Sequence, residues 1–184
     1  MTVTRWSLRW QAATAFAIAF AALAMASTGV SHAAARSIID DATGGDCSSM
    51  GAWNASTKTC ILTSDVSGQI RIAGSGITLD GNGHTLTGDG SSAAVYVFSQ
   101  SGVTVKNLKV TGGSSGIQLV SSSGNTIESN VITGNTQYGV QVNSSNSNVV
   151  RNNEFTANQF GIYVVGSLDN LIEGNIVSAA TYGI

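Results

Sequence analysis

The sequence predicts an all-β solenoid, and three observations carry that reading. The first is a fixed step. Ala94-Val95-Tyr96-Val97, Gly116-Ile117-Gln118-Leu119, Gly139-Val140-Gln141-Val142 and Gly161-Ile162-Tyr163-Val164 are one phrase repeated, and Gly183-Ile184 begins another copy. Successive copies are 22, 23, 22 and 22 residues apart, a period that marks a repeat architecture. The second is that each coil holds three apolar runs: Ile117/Leu119, Ile127 and Ile132, then Val140/Val142, Val150 and Phe155, then Ile162/Val164, Ile172 and Val177. Three short strands per coil, parted by Ser, Gly and Asn corners, wind once around a triangular prism, and stacked coils give parallel sheets about 4.8 Å apart. The third is the absence of proline, which would break ladder hydrogen bonds. Right-handed winding follows from the handedness of parallel crossovers. The fold class is therefore a right-handed parallel β-helix with a separate N-terminal cap.

Taken in order, the chain divides into a leader at 1–35, a cap at 36–75 and repeats at 76–184. Arg5 and Arg9 give the leader a positive start, Ala12 to Ala26 is almost wholly apolar, and Ala33-Ala34-Ala35 offers a small-residue cleavage site before Arg36. The apolar run is shorter than the roughly 20 residues of a membrane span, so a signal peptide is expected rather than an anchor. The expected location is secreted or periplasmic, without membrane association after cleavage. Beyond residue 35 there are six Lys and Arg against ten Asp and Glu, a net charge of −4. No basic patch exists to neutralise phosphates, which argues against nucleic acid as a partner.

The cap holds both cysteines, Cys47 and Cys60, with Trp53 between them. An even cysteine count in an exported chain predicts a disulfide, which over so short a loop stabilises by about 3 kcal/mol. Zinc would need further Cys or His nearby, and none is present. A stack of coils ends in unpaired backbone groups, and the disulfide with Trp53 is read as their cover. A sugar-stacking platform is the other reading of Trp53. Asn54-Ala55-Ser56 and Asn143-Ser144-Ser145 match the glycosylation acceptor pattern, which is frequent by chance in an Asn/Ser-rich chain.

The first coil reads Ile77-Thr78-Leu79-Asp80-Gly81-Asn82-Gly83-His84-Thr85-Leu86-Thr87-Gly88, two short strands around a Gly-rich corner. This segment, opening a series of Gly-Ile/Val-x-Val and Asn-x-Ile repeats, resembles the pectin-lyase-like superfamily. Within it the chain is most similar to the right-handed parallel β-helix repeat proteins, the NosD-like group included, over about residues 60–184. The resemblance implies the fold strongly and activity weakly, because this fold carries lyases, hydrolases, epimerases, adhesins and accessory proteins. If the chain is an enzyme, the resemblance implies a polysaccharide lyase, hydrolase or epimerase, with calcium as the cofactor of a lyase. The paired aspartates and Gly-His-Gly of pectin-degrading glycosidases are absent. His84 is either a base or ligand, or a side chain bonded to the backbone at a tight corner; the second reading is preferred.

Several columns follow from the stacking. Asn125, Asn148 and Asn170 align, as do Asn130, Asn153 and Asn175, and stacked asparagines bond amide to amide. Tyr138, Phe160 and Tyr182 align before each Gly, and strand parity points them into the core. Lys106, Glu128, Arg151 and Glu173, with Asp80 at their head, form a column of alternating charge worth a few tenths of a kcal/mol per pair. Arg151 resembles the proton-abstracting base of pectate-lyase-like enzymes, but no aspartate cluster accompanies it. Glu128 and Glu173 stand about 9.6 Å apart, near the separation of an inverting glycosidase pair. Arg151 between them would hold both ionised, so neither suits a general acid, and no catalytic residue is named.

One outward line remains: Tyr96, Gln118, Gln141 and Tyr163, with Asn143 beside it. Two aromatics flanking two amides on a neutral sheet suit an extended sugar chain, the rings stacking on pyranoses and the amides bonding hydroxyls. A plain solvated face is the alternative. The NosD resemblance raises copper, which wants Met, Cys or His; Met50, His84 and two cysteines expected to be bonded do not make such a set. The leading expectation is binding or processing of extracellular polysaccharide. A structural or adhesive module is the alternative, and a NosD-like accessory protein of metal-cofactor maturation the third reading. Ile184 lies two residues into a new coil, so further coils or a partner are expected to cover that edge.

Overall fold

The computed structural model describes residues 34–178 and 180–184. Apart from Ala34 and Ala35, the expected signal peptide lies outside them. Three sheets carry the chain. Sheet A is built from β1 (Arg36–Ile38), β5 (Ile70–Ile72), β8 (Ala93–Phe98), β11 (Ser115–Val120), β14 (Tyr138–Asn143) and β17 (Phe160–Val165). Sheet B is built from β2 (Gly51–Asn54), β3 (Thr59–Leu62), β6 (Thr78–Asp80), β9 (Thr104–Lys106), β12 (Thr126–Glu128), β15 (Val149–Arg151) and β18 (Leu171–Glu173). Sheet C is built from β4 (Val66–Ser67), β7 (Thr85–Thr87), β10 (Lys109–Thr111), β13 (Val131–Thr133), β16 (Glu154–Thr156) and β19 (Ile176–Ser178). Each coil visits A, B and C in turn, and every strand pair is parallel except the β2–β3 hairpin. The molecule is thus the parallel β-solenoid that the 22-residue step predicts.

The core is a set of columns. Val97, Leu119 and Val142 stand in register in sheet A, Val105, Ile127 and Val150 in sheet B, and Val110, Ile132 and Phe155 in sheet C. None of these is more than 1% exposed. Burying one such side chain is worth about 1.5–3 kcal/mol, and β-branched residues fit the pleat at little rotamer cost. In the last coil the same columns, at Val164, Ile172 and Val177, are only partly buried.

The corners are held by the asparagines. Asn130 donates its backbone N–H to Asn153 Oδ1 at 3.0 Å, and Asn153 donates likewise to Asn175 Oδ1 at 3.0 Å. Their side-chain amides repeat the link, Asn130 Nδ2 to Asn153 Oδ1 at 2.9 Å and Asn153 Nδ2 to Asn175 Oδ1 at 3.0 Å. The Asn125–Asn148–Asn170 column does the same. These are the expected ladders. A further one joins Asn135 to Asn158, at 3.0 Å for both the backbone and the side-chain donor.

At the N-terminal end Cys47 and Cys60 are bonded, and both are fully buried. Trp53 pairs with Cys60 across the hairpin, packs against the core, and donates Nε1–H to the Asp41 carbonyl at 2.9 Å. A Cβ on Gly44 would stand 2.3 Å from the Trp53 ring, so the loop lies flat on the indole only because that residue is glycine. Trp53 therefore works as cover. Strands β3 to β5, within residues 36–75, already pair in register with the coils that follow.

One column differs from expectation. Tyr138 and Phe160 are half-buried and Tyr182 is 55% exposed, and none of them belongs to the core. Strict alternation fails at the start of these strands, where Gly139 and Val140, and Gly161 and Ile162, are buried in succession. A Cβ on Gly139 would lie 2.6 Å from Phe155 Cδ1 and 2.5 Å from the Gly161 carbonyl oxygen. The glycine occupies the inward place itself, and the aromatic before it swings outside.

Candidate functional site: the outer face of sheet A

Register assembles the outer line directly. Tyr96 pairs with Gln118, Gln118 with Gln141, and Gln141 with Tyr163, each half-buried on the outer side of its strand. Gln118 Nε2 donates to Gln141 Oε1 at 2.7 Å, and Ser115 Oγ donates to the same oxygen at 3.4 Å. Those bonds leave Gln118 Oε1 as an acceptor and Gln141 Nε2 as a donor facing outward. Asn143 lies in a neighbouring line, in register with Val120 and Val165, where its Oδ1 accepts from Ser144 Oγ at 3.0 Å.

Aromatic rings frame both ends of this line. Tyr163 stacks on Tyr138 with centroids 4.8 Å apart and meets Phe160 edge-on at 5.7 Å. Phe160 in turn stacks on Tyr182 at 4.6 Å. A groove of about 370 Å³ beside them is lined by Phe160, Ile162, Tyr163, Val164, Tyr182 and Ile184. At the other end Tyr96 lies parallel to Phe98 at 6.3 Å, and the Arg71 guanidinium stands 5.8 Å from the Tyr96 ring centre. Arg71 is paired with Tyr96 in the strand register, so it continues the line by one coil. The repeat does not reveal it, because Arg71 stands 25 residues before Tyr96, in the non-repeating segment.

The charged column lies on sheet B, with Asp80, Lys106, Glu128, Arg151 and Glu173 in register. It resolves into two couples. Lys106 Nζ is 3.4 Å from Asp80 Oδ2, and Arg151 donates Nε–H and Nη2–H to Glu128 Oε2 at 2.9 and 2.7 Å. Arg151 was expected to bridge both glutamates. It turns wholly to Glu128, since a guanidinium fork gains more from two bonds to one carboxylate than from one bond to each. A paired arginine on a flat sheet, without a cluster of carboxylates, is not placed to abstract a proton.

His84 sits at the β6–β7 corner, where its N–H donates to the Gly81 carbonyl at 2.8 Å and its carbonyl accepts from Lys109 N–H at 3.0 Å. Its Nδ1 is 3.4 Å from Asp65 Oδ1. Asp65 also accepts from Thr85 N–H at 2.9 Å, and that bond, with His84 beside it, holds its carboxyl below the usual range. Met50 is buried in the cap core and both cysteines are bonded to each other. Among the described residues no three His, Cys, Asp or Glu side chains come together as a metal would need. Each soft donor is thus enclosed or engaged, and these residues do not fit a copper ion.

A family model described as periplasmic copper-binding protein (NosD) matches residues 38–184. No curated protein and no solved structure matches the chain.

Proposed function

This chain belongs to the NosD family of periplasmic copper-binding proteins, and we propose that within it the chain is a non-catalytic accessory protein that binds an extended polysaccharide. The family is periplasmic, and among the described residues no helix is long and apolar enough to cross a membrane. The observation that carries the proposal is the line Tyr96–Gln118–Gln141–Tyr163, a neutral aromatic-and-amide row spaced by the coil rise. That rise, about 4.8 Å, is close to the advance per residue of an extended β-linked pyranose chain. Successive sugars would meet successive coils, with rings stacked on tyrosines at the ends and hydroxyls bonded to amides between. Calcium and lyase chemistry have no support in the residues of this face.

The test is binding of a neutral oligosaccharide, cellohexaose, and of a glycan array by the wild type and by Tyr96→Ala/Tyr163→Ala. The double variant is expected to lose binding while keeping its circular dichroism and melting profile. Equal binding by both proteins would remove the stripe from the account and favour a rigid structural spacer.

The family description favours a second reading, service in copper-cofactor maturation. The described residues supply no ligand set for it. Titration with Cu(I) under a competing chelator is expected to show no stoichiometric uptake by residues 36–184; uptake of one equivalent would restore the copper role.

A further inference from the structure

The inference concerns Arg71 and rests on the polysaccharide reading of the sheet A face. The four ion pairs among the described residues engage Lys58, His84, Lys106 and Arg151. Arg36 donates to the Ser67 carbonyl. Arg71 does neither. It is exposed on β5, makes no side-chain hydrogen bond to the described residues, and its guanidinium stands over the Tyr96 ring at 5.8 Å. A cation over an aromatic face is held by the ring quadrupole, which limits its rotamers without using its N–H donors. The result is a guanidinium fork fixed at the head of a neutral binding line with five donors uncommitted. Such a fork matches a carboxylate in two parallel bonds, which a lysine does not reproduce.

We propose that Arg71 recognises a carboxylate on the ligand, so that the face takes a carboxylated glycan in preference to a neutral one. Arg71 is the register partner of Tyr96, so a uronate stacked on Tyr96 with its C4 end toward the preceding coil would bring its carboxyl group to the Arg71 side. Gln118, Gln141 and Tyr163 then take the rest of the chain through hydroxyls and ring faces. Arg71 sets specificity at one end, and the remaining line supplies contacts common to both glycans. No bond is made or broken.

The experiment measures the affinity of the purified full chain for a β-1,4-linked glucuronate hexamer and for cellohexaose, which differ only at C6. The wild type is expected to bind the uronate about three- to tenfold more tightly at low ionic strength, the span of one solvent-exposed charge-assisted contact. The preference should shrink as salt rises. Arg71→Gln is expected to weaken uronate binding about three- to tenfold more than cellohexaose binding and so abolish the preference, while Arg71→Lys keeps part of it. Equal affinity of the wild type for both hexamers, or a preference that survives Arg71→Gln, would overturn the role of Arg71 with the sheet A reading intact. Failure of the wild type to bind either hexamer would remove both together.

Discussion

Gln118 donates through Nε2 to Gln141 Oε1 at 2.7 Å, so the amides of two adjacent coils are oriented as one unit on the face of sheet A. The bond fixes which atoms remain for a ligand. Gln141→Leu keeps the volume and removes both the acceptor and the outward donor. Stability should fall by at most about 1 kcal/mol, the net value of a partly exposed hydrogen bond. Oligosaccharide affinity should fall about fivefold, as read by calorimetry. A variant that binds as the wild type does would place the ligand elsewhere.

The asparagine ladders set a contrast between interior and end. Asn153 Oδ1 accepts the Asn130 backbone N–H and side-chain amide in a buried site. Asn153→Ala strands the buried Asn130 N–H, at about 1–3 kcal/mol, leaves the Asn130 amide only the Val105 carbonyl, and removes the amide donor from the Ile127 carbonyl. The expected loss in urea unfolding is about 3 kcal/mol or more. Asn175→Ala, in a half-buried position of the last coil, should cost clearly less. Similar losses at the two sites would mean that the ladder does not govern stability.

Cys47–Cys60 closes a 13-residue separation beneath the hairpin. Replacing both by serine should cost about 3 kcal/mol in equilibrium unfolding. Intact mass of the exported protein should rise by about two hydrogens on reduction. An unchanged mass would exclude the bond.

Asp89 gives the chain an acid-sensitive loop. Its carboxylate accepts from Ser92 N–H at 3.0 Å and from Ser91 N–H at 2.9 Å, and its pKa is lowered to about 2. A depressed pKa stabilises above the unfolded value and loses that contribution as protons are taken up by the folded state. The 89–92 turn should therefore weaken as pH falls from 3.8 toward about 2. Asp89→Asn should flatten that part of the stability profile. A wild-type profile with no slope there, followed by thermal melts, would contradict the assignment.

The period, the core columns, two of the three asparagine ladders and the line from Tyr96 to Tyr163 were all legible, because stacking turns sequence spacing into adjacency. Asn135 and Asn158 have the same spacing, and a reading keyed to apolar runs passes over them. Tyr138 and Phe160 were misplaced because strict alternation fails where Gly139 and Gly161 are buried next to another buried residue. Arg71 and the Asp65–His84 contact were hidden for a different reason. Arg71 and Asp65 lie where the period has not begun, so no copy elsewhere in the chain shows which side they face.

The ladders also have a direction. Leu108 N–H is received by Asn130, Asn130 N–H by Asn153, and Asn153 N–H by Asn175, always from the earlier coil to the later. Each newly laid turn therefore completes the one before it and leaves its own row open. For a chain delivered amino end first, the acceptors that satisfy the N–H row of one turn arrive only with the turn that follows it.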